Sequence, residues 1–299
     1  MLALSEPLSG AFGLIMLAGA HAVGWPIAAG GARTLSAALA GHLVELGGKI
    51  VTDCPIASLD ALPSHRAALL DLTPRQILDV AGHRLERQRW GQAYVRQLRR
   101  FRYGPGVFKL DLALDGPIPW RDPEVLRAAT VHVGGPFEEI AAAEAAVAEG
   151  RIPERPFVLL GQPSLVEASR APPGKHTVWA YCHVPNGSTV DMADRMFAQI
   201  ERFAPGFRDR ILAFSQFTPA DLQRYDANYI GGDIGGGRSD IRRSRGRPGA
   251  STPTARPTRR SSCAPRRRRL AGASTGSAGG MRRDQRCGAR CERSWNGPT

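Results

Sequence analysis

The sequence predicts an α/β or α+β protein, on three observations. Apolar stretches of strand length, such as GVFKLDLAL (106–114) and HTVWAYCHV (176–184), alternate with segments of helical period, such as DMADRMFAQIERFAP (191–205). No internal repeat interrupts the alternation. Composition also changes sharply near residue 238. Residues 238–299 hold 17 Arg, no Lys and 3 acidic residues, which leaves 23 basic and 24 acidic residues before them, so the whole basic excess lies in the last fifth of the chain. The first 237 residues are nearly neutral, carry four of the five Trp and all the Tyr and Phe, and are long enough to bury a sizeable core.

Taken in order, the chain opens on AFGLIMLAGAHAVG (11–24), inside a run of 26 residues, 7–32, without a formal charge. A membrane span, a signal peptide and an interior helix are all conceivable here. Glycines, His21 and Pro26 weigh against a span, and the lack of a basic region ahead of the apolar stretch weighs against a signal peptide. An interior helix with no transmembrane segment is the expectation, in a cytoplasmic or membrane-peripheral protein. The stretch 32–48 places Leu35, Leu39, Leu43 and Leu46 on a helical stripe that ends at Gly47-Gly48. KIVTD (49–53), PIASL (55–59) and AALLDL (67–72) read as short strands. Thr73-Pro74 then begins a helix over 74–82. Residues 84–102 read as one basic helix with Trp90, Tyr94, Leu98 and Phe101 on a shared face. Strands follow at 106–114, 130–135, 157–163 and 176–184, with helices over 136–150 and 191–205; Met192, Met196, Phe197, Ile200 and Phe203 line the last.

Chemical signals in the body are sparse. No G-x-G-x-x-G turn follows a strand and no Walker-type loop occurs. His132 and His183 sit in expected strands, where a hydrogen-bonded histidine is the ordinary reading. No metal site is expected, because Cys287 and Cys291 have no histidine in the tail to complete four ligands. The five cysteines suggest no disulfide framework. The Arg-rich tail, 243–299, has too few large apolar residues to offset the entropy of ordering it, and its charge would give sequence-blind, salt-sensitive nucleic-acid binding.

The body does carry ordered loop motifs: GWPIAAGG (24–31), DLTPRQ (71–76), YGPGVFK (103–109), WAYCHVPNGS (179–188) and NYIGGDI (228–234). Together they resemble the FAD-dependent oxidoreductases of the phytoene-desaturase-like, amine-oxidase-related family, over residues 8 to about 242. The resemblance implies a flavin domain built from separated segments, with an inserted substrate domain of antiparallel or mixed sheet and helices. On that division, 1–23 is a substrate-domain helix, 24–82 a remnant of the FAD-binding domain and 83–235 the substrate domain. It also implies an FAD-binding set: Gly24, Trp25, Pro26, Gly30, Gly31, Pro55, Ile56, Thr73, Pro74, Gly231, Gly232 and Asp233. Trp179, Tyr181, His183 and Asn186 would face a small-molecule substrate, expected to be apolar, and no catalytic residue is identified.

Two departures from the family stand out. Its relatives begin with a Gly-rich turn that holds the FAD pyrophosphate at a helix N-terminus, whereas this chain starts after such a unit. They also end on a segment resembling LCSASTPPGGGVHGMCG, where this chain has SSCAPRRRRLAGASTG (261–276). Codons permitted for Leu270 to Gly276, read one frame away, encode Gly-Gly-Gly-Val-His-Gly. The expectation is therefore an N-terminally truncated chain with a frameshifted tail that retains FAD poorly.

Overall fold

The computed structural model describes residues 9–89 and 91–238. Trp90 and the tail 243–299 lie outside the described residues. Seven α-helices and five strands form within them: α1 (Ser9–Val23), α2 (Arg33–Glu45), α3 (Pro74–Glu86), α4 (Gly91–Arg99), β1 (Gly106–Leu114), β2 (Val131–Val133), α5 (Phe137–Ala148), β3 (Val158–Gly161), β4 (His176–Val184), α6 (Ala193–Glu201), β5 (Ile211–Phe217) and α7 (Pro219–Tyr225).

The strands make one sheet in the order β2-β3-β4-β1-β5, and every neighbouring pair is antiparallel. This decides between the two expected classes: the described protein is α+β. Burial along β4 alternates strictly, with Val178, Ala180, Cys182 and Val184 buried and the residues between them half-buried. Such a period-two pattern belongs to a sheet with one face on the core and the other open. The core face of β4 and the facing residues of β1 (Phe108, Leu110, Leu112, Leu114) join Met196, Phe197 and Ile200 of α6, with Phe207, in one apolar cluster. α6 belongs there because its apolar residues recur at helical spacing on one side.

Several sequence expectations are corrected. Residues 49–53, 55–59 and 67–72 form no strands; apart from a 3-10 turn at Leu59–Ala61 they are irregular. Their composition suits a strand, but among the described residues no strand offers them its N–H and C=O groups. The basic helix over 84–102 is two helices, broken after Glu86, and Gly91 shows why. A Cβ there would fall inside bonding distance of the Leu85 carbonyl, so the chain folds back on itself at a point only glycine can occupy. The first two helices form as expected but α1 is not interior, since it buries no residue. The α2 stripe also faces outward, with Leu39 73% exposed. Among residues 9–72 Gly31 alone is buried. Helical periodicity specifies a face, and the described residues hold no surface packed against that face. Two elements escaped the sequence reading, β5 and α7. The second starts on a capping box, in which the Thr218 hydroxyl accepts from the Asp221 N–H and the Asp221 carboxylate accepts from the Thr218 N–H. No described helix is long and apolar enough to cross a membrane.

Candidate functional site

The open face of the sheet carries the chemistry. Strand register places His132, Leu159, Tyr181, Lys109 and Phe217 in one row across all five strands. Gly161, Trp179, Asp111 and Ser215 form the next row. Along β4, Trp179 stacks on Tyr181 with ring centroids 6.2 Å apart and planes 16° from parallel, and His183 meets the Tyr181 ring edge-on at 5.9 Å. Lys109 pairs with Asp111 and lies 5.1 Å from the centre of the Phe217 ring.

This aromatic row depends on a gap in β3. A Cβ on Gly161 would lie 2.6 Å from the Trp179 indole, so the ring lies across the neighbouring strand only because that position has no side chain. Gly161→Ala is expected to swing the indole off β3 and into water, with a red-shifted Trp179 emission and a change in near-ultraviolet circular dichroism. A variant spectrum superimposable on that of the wild type would show that the indole does not rest there.

His183 is anchored by α5. Its Nδ1 lies 3.1 Å from both carboxylate oxygens of Glu144, a residue of α5 that is only 7% exposed. Burial, and then the Glu144 charge, push the Tyr181 phenol above its usual range, so it remains a donor. Burial likewise pushes the Cys182 thiol up and leaves it an inert core side chain.

A second cluster forms at one end of the sheet, where four of the five loop motifs meet. The Thr73 N–H donates to Asn228 Oδ1 at 2.9 Å, and the Tyr103 hydroxyl donates to Thr73 Oγ1 at 3.1 Å. The Asn186 amide donates to the carbonyls of Gly104 and Ile230 at 2.8 and 2.9 Å. Asp233, 2% exposed, accepts from the N–H groups of Gly104, Gly235 and Gly237 at 2.6, 2.8 and 2.8 Å. Gly231 and Gly232 both have positive φ, 61° and 81°, and the space a Cβ would need is filled by Asn186 and Pro219 respectively.

The structure thus brings Thr73, Pro74, Asn186, Gly231, Gly232 and Asp233 together, with Trp179, Tyr181 and His183 along the adjoining open face. It sets the other expected residues apart. Gly30 and Gly31 (φ 75° and 87°) dock on the 163–170 segment, where the Gly30 N–H donates to Glu167 at 2.8 Å and the Arg170 guanidinium fills the space beside Gly31. Gly24, Trp25 and Pro26 are exposed, as is Pro55, and Ile56 is half-buried in irregular chain. Sequence reasoning missed Glu144. It sits in an Ala-rich helix like any solvated carboxylate, and only the packing of α5 against β4 reveals it.

The fit to FAD is uneven. The described residues contain one Gly-Gly turn that leads from a strand into a helix, Gly134-Gly135 between β2 and α5. Glu138 and Glu139 occupy the first turn of α5, and the Glu139 carboxylate fills the space beside Gly135. Two carboxylates at a helix start repel a pyrophosphate, so this turn is no phosphate cradle. The one described strand-to-helix Gly-Gly turn does not fit the pyrophosphate end of FAD.

The described residues thus form an α+β scaffold whose antiparallel sheet has one face in the core and one face carrying an aromatic row. Comparison with known proteins finds similarity to oxidoreductases. The chain is 26% identical over 232 residues to pyridine nucleotide-disulfide oxidoreductase domain-containing protein 2 of Mus musculus, covering 67% of this chain and 40% of the relative. It is 25% identical over the same length, with the same coverage, to the protein of that name in Rattus norvegicus. The chain therefore spans about 40% of the length of the curated relatives it matches. Among solved structures, an oxidoreductase from Methanosarcina mazei superposes with a TM-score of 0.46 at 17% identity, covering 72% of this chain and 49% of that one. No family model matches the chain.

Proposed function

We propose that this chain supplies the substrate-binding sheet of an FAD-dependent oxidoreductase of the phytoene-desaturase-like, amine-oxidase-related group. The single observation that carries the reading is the open face of β4. Trp179, Tyr181 and His183 lie there in a continuous row on a sheet whose other face is closed core, and a row of partly buried aromatic rings favours a flat or apolar small molecule. The oxidoreductase similarity of the curated relatives agrees with it. Pyrophosphate contacts do not come from the described residues, so FAD retention by this chain is expected to be poor.

Lumiflavin, the isoalloxazine ring without ribityl or phosphate, tests the reading. Titrated against the purified chain, it is expected to quench tryptophan emission saturably, and Trp179→Leu is expected to remove that component while emission from the other four tryptophans persists. Absence of saturable quenching at the solubility limit of lumiflavin overturns the proposal. The visible spectrum of the chain as purified is expected to lack a stoichiometric flavin band; one FAD per chain would overturn the expectation of poor retention. A second reading, a nucleic-acid or acidic-surface binder, draws on the Arg-rich composition of 243–299 alone. Salt-sensitive retention on DNA that vanishes when those residues are removed would favour it.

A further inference from the structure

We propose that Glu144 and His183 form a carboxylate–imidazole pair in which Glu144 positions the ring and His183 Nε2 accepts the proton of a substrate hydroxyl. The inference rests on the reading of the open sheet face as the substrate surface. It deepens that reading by assigning the substrate class: an alcohol bearing a flat or apolar group.

The argument begins with Nδ1. At 3.1 Å from both oxygens of the nearly buried Glu144 side chain, Nδ1 is assigned as the donor of the pair, because a carboxylate can only accept. Glu144 thereby fixes the ring orientation and, when the imidazole is neutral, puts the free lone pair on Nε2. Among the described residues no group bonds to Nε2, while the side chain keeps 24% of its surface in contact with solvent. The pair therefore leaves Nε2 uncommitted on the sheet face that also carries Tyr181, Trp179 and His132.

The ligand chemistry follows from these neighbours. The lone pair on Nε2 accepts an O–H, and the Tyr181 phenol on the same face is a donor able to meet the lone pairs of that oxygen. An ammonium group offers a phenol no lone pair, and a hydrocarbon offers neither partner. An apolar body on the alcohol would lie over the Tyr181 and Trp179 rings. In the proton transfer the substrate O–H bond breaks, its electron pair stays on oxygen, and an N–H bond forms at Nε2. The imidazolium so produced keeps its Nδ1 contact with both Glu144 oxygens.

The test uses the full chain labelled with nitrogen-15 in histidine. Nitrogen shifts of His183, assigned by comparison with His183→Gln, are expected to report hydrogen on Nδ1 and a free lone pair on Nε2 in the neutral form. Glu144→Ala is expected to convert this to a tautomer mixture dominated by Nε2–H, while the backbone amide signals of Cys182 and Val184 remain in place. Restoring an acceptor with Glu144→Asp should recover part of the Nδ1–H form. Benzyl alcohol at millimolar concentration is expected to shift Nε2 saturably, and toluene, the same ring without the hydroxyl, is expected not to. Wild-type His183 with its hydrogen on Nε2 overturns the pair, and equal responses to benzyl alcohol and toluene, or none to either, overturn the substrate class. No flavin enters these measurements. A failed lumiflavin titration alongside an intact pair therefore rejects the functional reading alone.

Discussion

Asp233→Ala is expected to destabilise the fold by at least about 3 kcal/mol. Its two oxygens satisfy three backbone N–H groups, those of Gly104, Gly235 and Gly237, at a site only 2% exposed. A buried donor left without a partner costs about 1–3 kcal/mol, and bonds to a charged acceptor lie at the upper end. The three losses do not add fully, because water can enter once the loops loosen. Asp233→Asn keeps one carbonyl oxygen but aims an NH2 group at a remaining donor, so an intermediate loss is expected. Urea unfolding at neutral pH measures both. A loss below about 1 kcal/mol for the alanine variant would show that these loops close without the carboxylate. The same titration would show whether the Asn186 contacts to Gly104 and Ile230 alone hold the two loops together.

Phe108→Ala is the second large effect, about 3–5 kcal/mol. Phe108 is fully buried on β1, the strand flanked by β4 and β5, and it sits opposite Cys182 in the register. Removing the ring leaves a cavity in the single apolar cluster that the sheet shares with α6. Because a domain of this kind is stable by only about 5–15 kcal/mol, the loss takes a large part of the total. Thermal unfolding followed by far-ultraviolet circular dichroism checks it. Leu39→Ala on α2 provides the contrast. With 73% of Leu39 exposed, its truncation is expected to change stability by no more than about 0.5 kcal/mol. If the Leu39 variant proved as unstable as the Phe108 variant, the exposed placement of α2 would be wrong.

The sequence by itself determined the elements whose burial pattern is local. β1, β2, β3 and β4 were legible because alternating apolar residues require one buried face, and α3, α5 and α6 because their apolar or Ala-rich stretches keep helical period. The sequence also singled out Gly231, Gly232 and Asn186, but as FAD-binding and substrate-facing residues; that the glycines take positive φ and that the Asn186 amide ties Gly104 to Ile230 emerged only from the packed chain. Tertiary structure alone decided the rest. KIVTD and AALLDL have strand-like composition, yet a strand exists only where another offers its N–H and C=O groups, and no neighbour among the described residues does so. β5 was obscure for the opposite reason: as a largely exposed edge strand it needs no strong apolar alternation once β1 supplies its hydrogen bonds. The strand directions, the flat seat of Trp179 over Gly161, and the meeting of Glu144 with His183 across 39 residues all depend on non-local packing. Sequence spacing records which side of its own element a residue occupies, but the identity of the surface opposite is set only when the whole chain has packed.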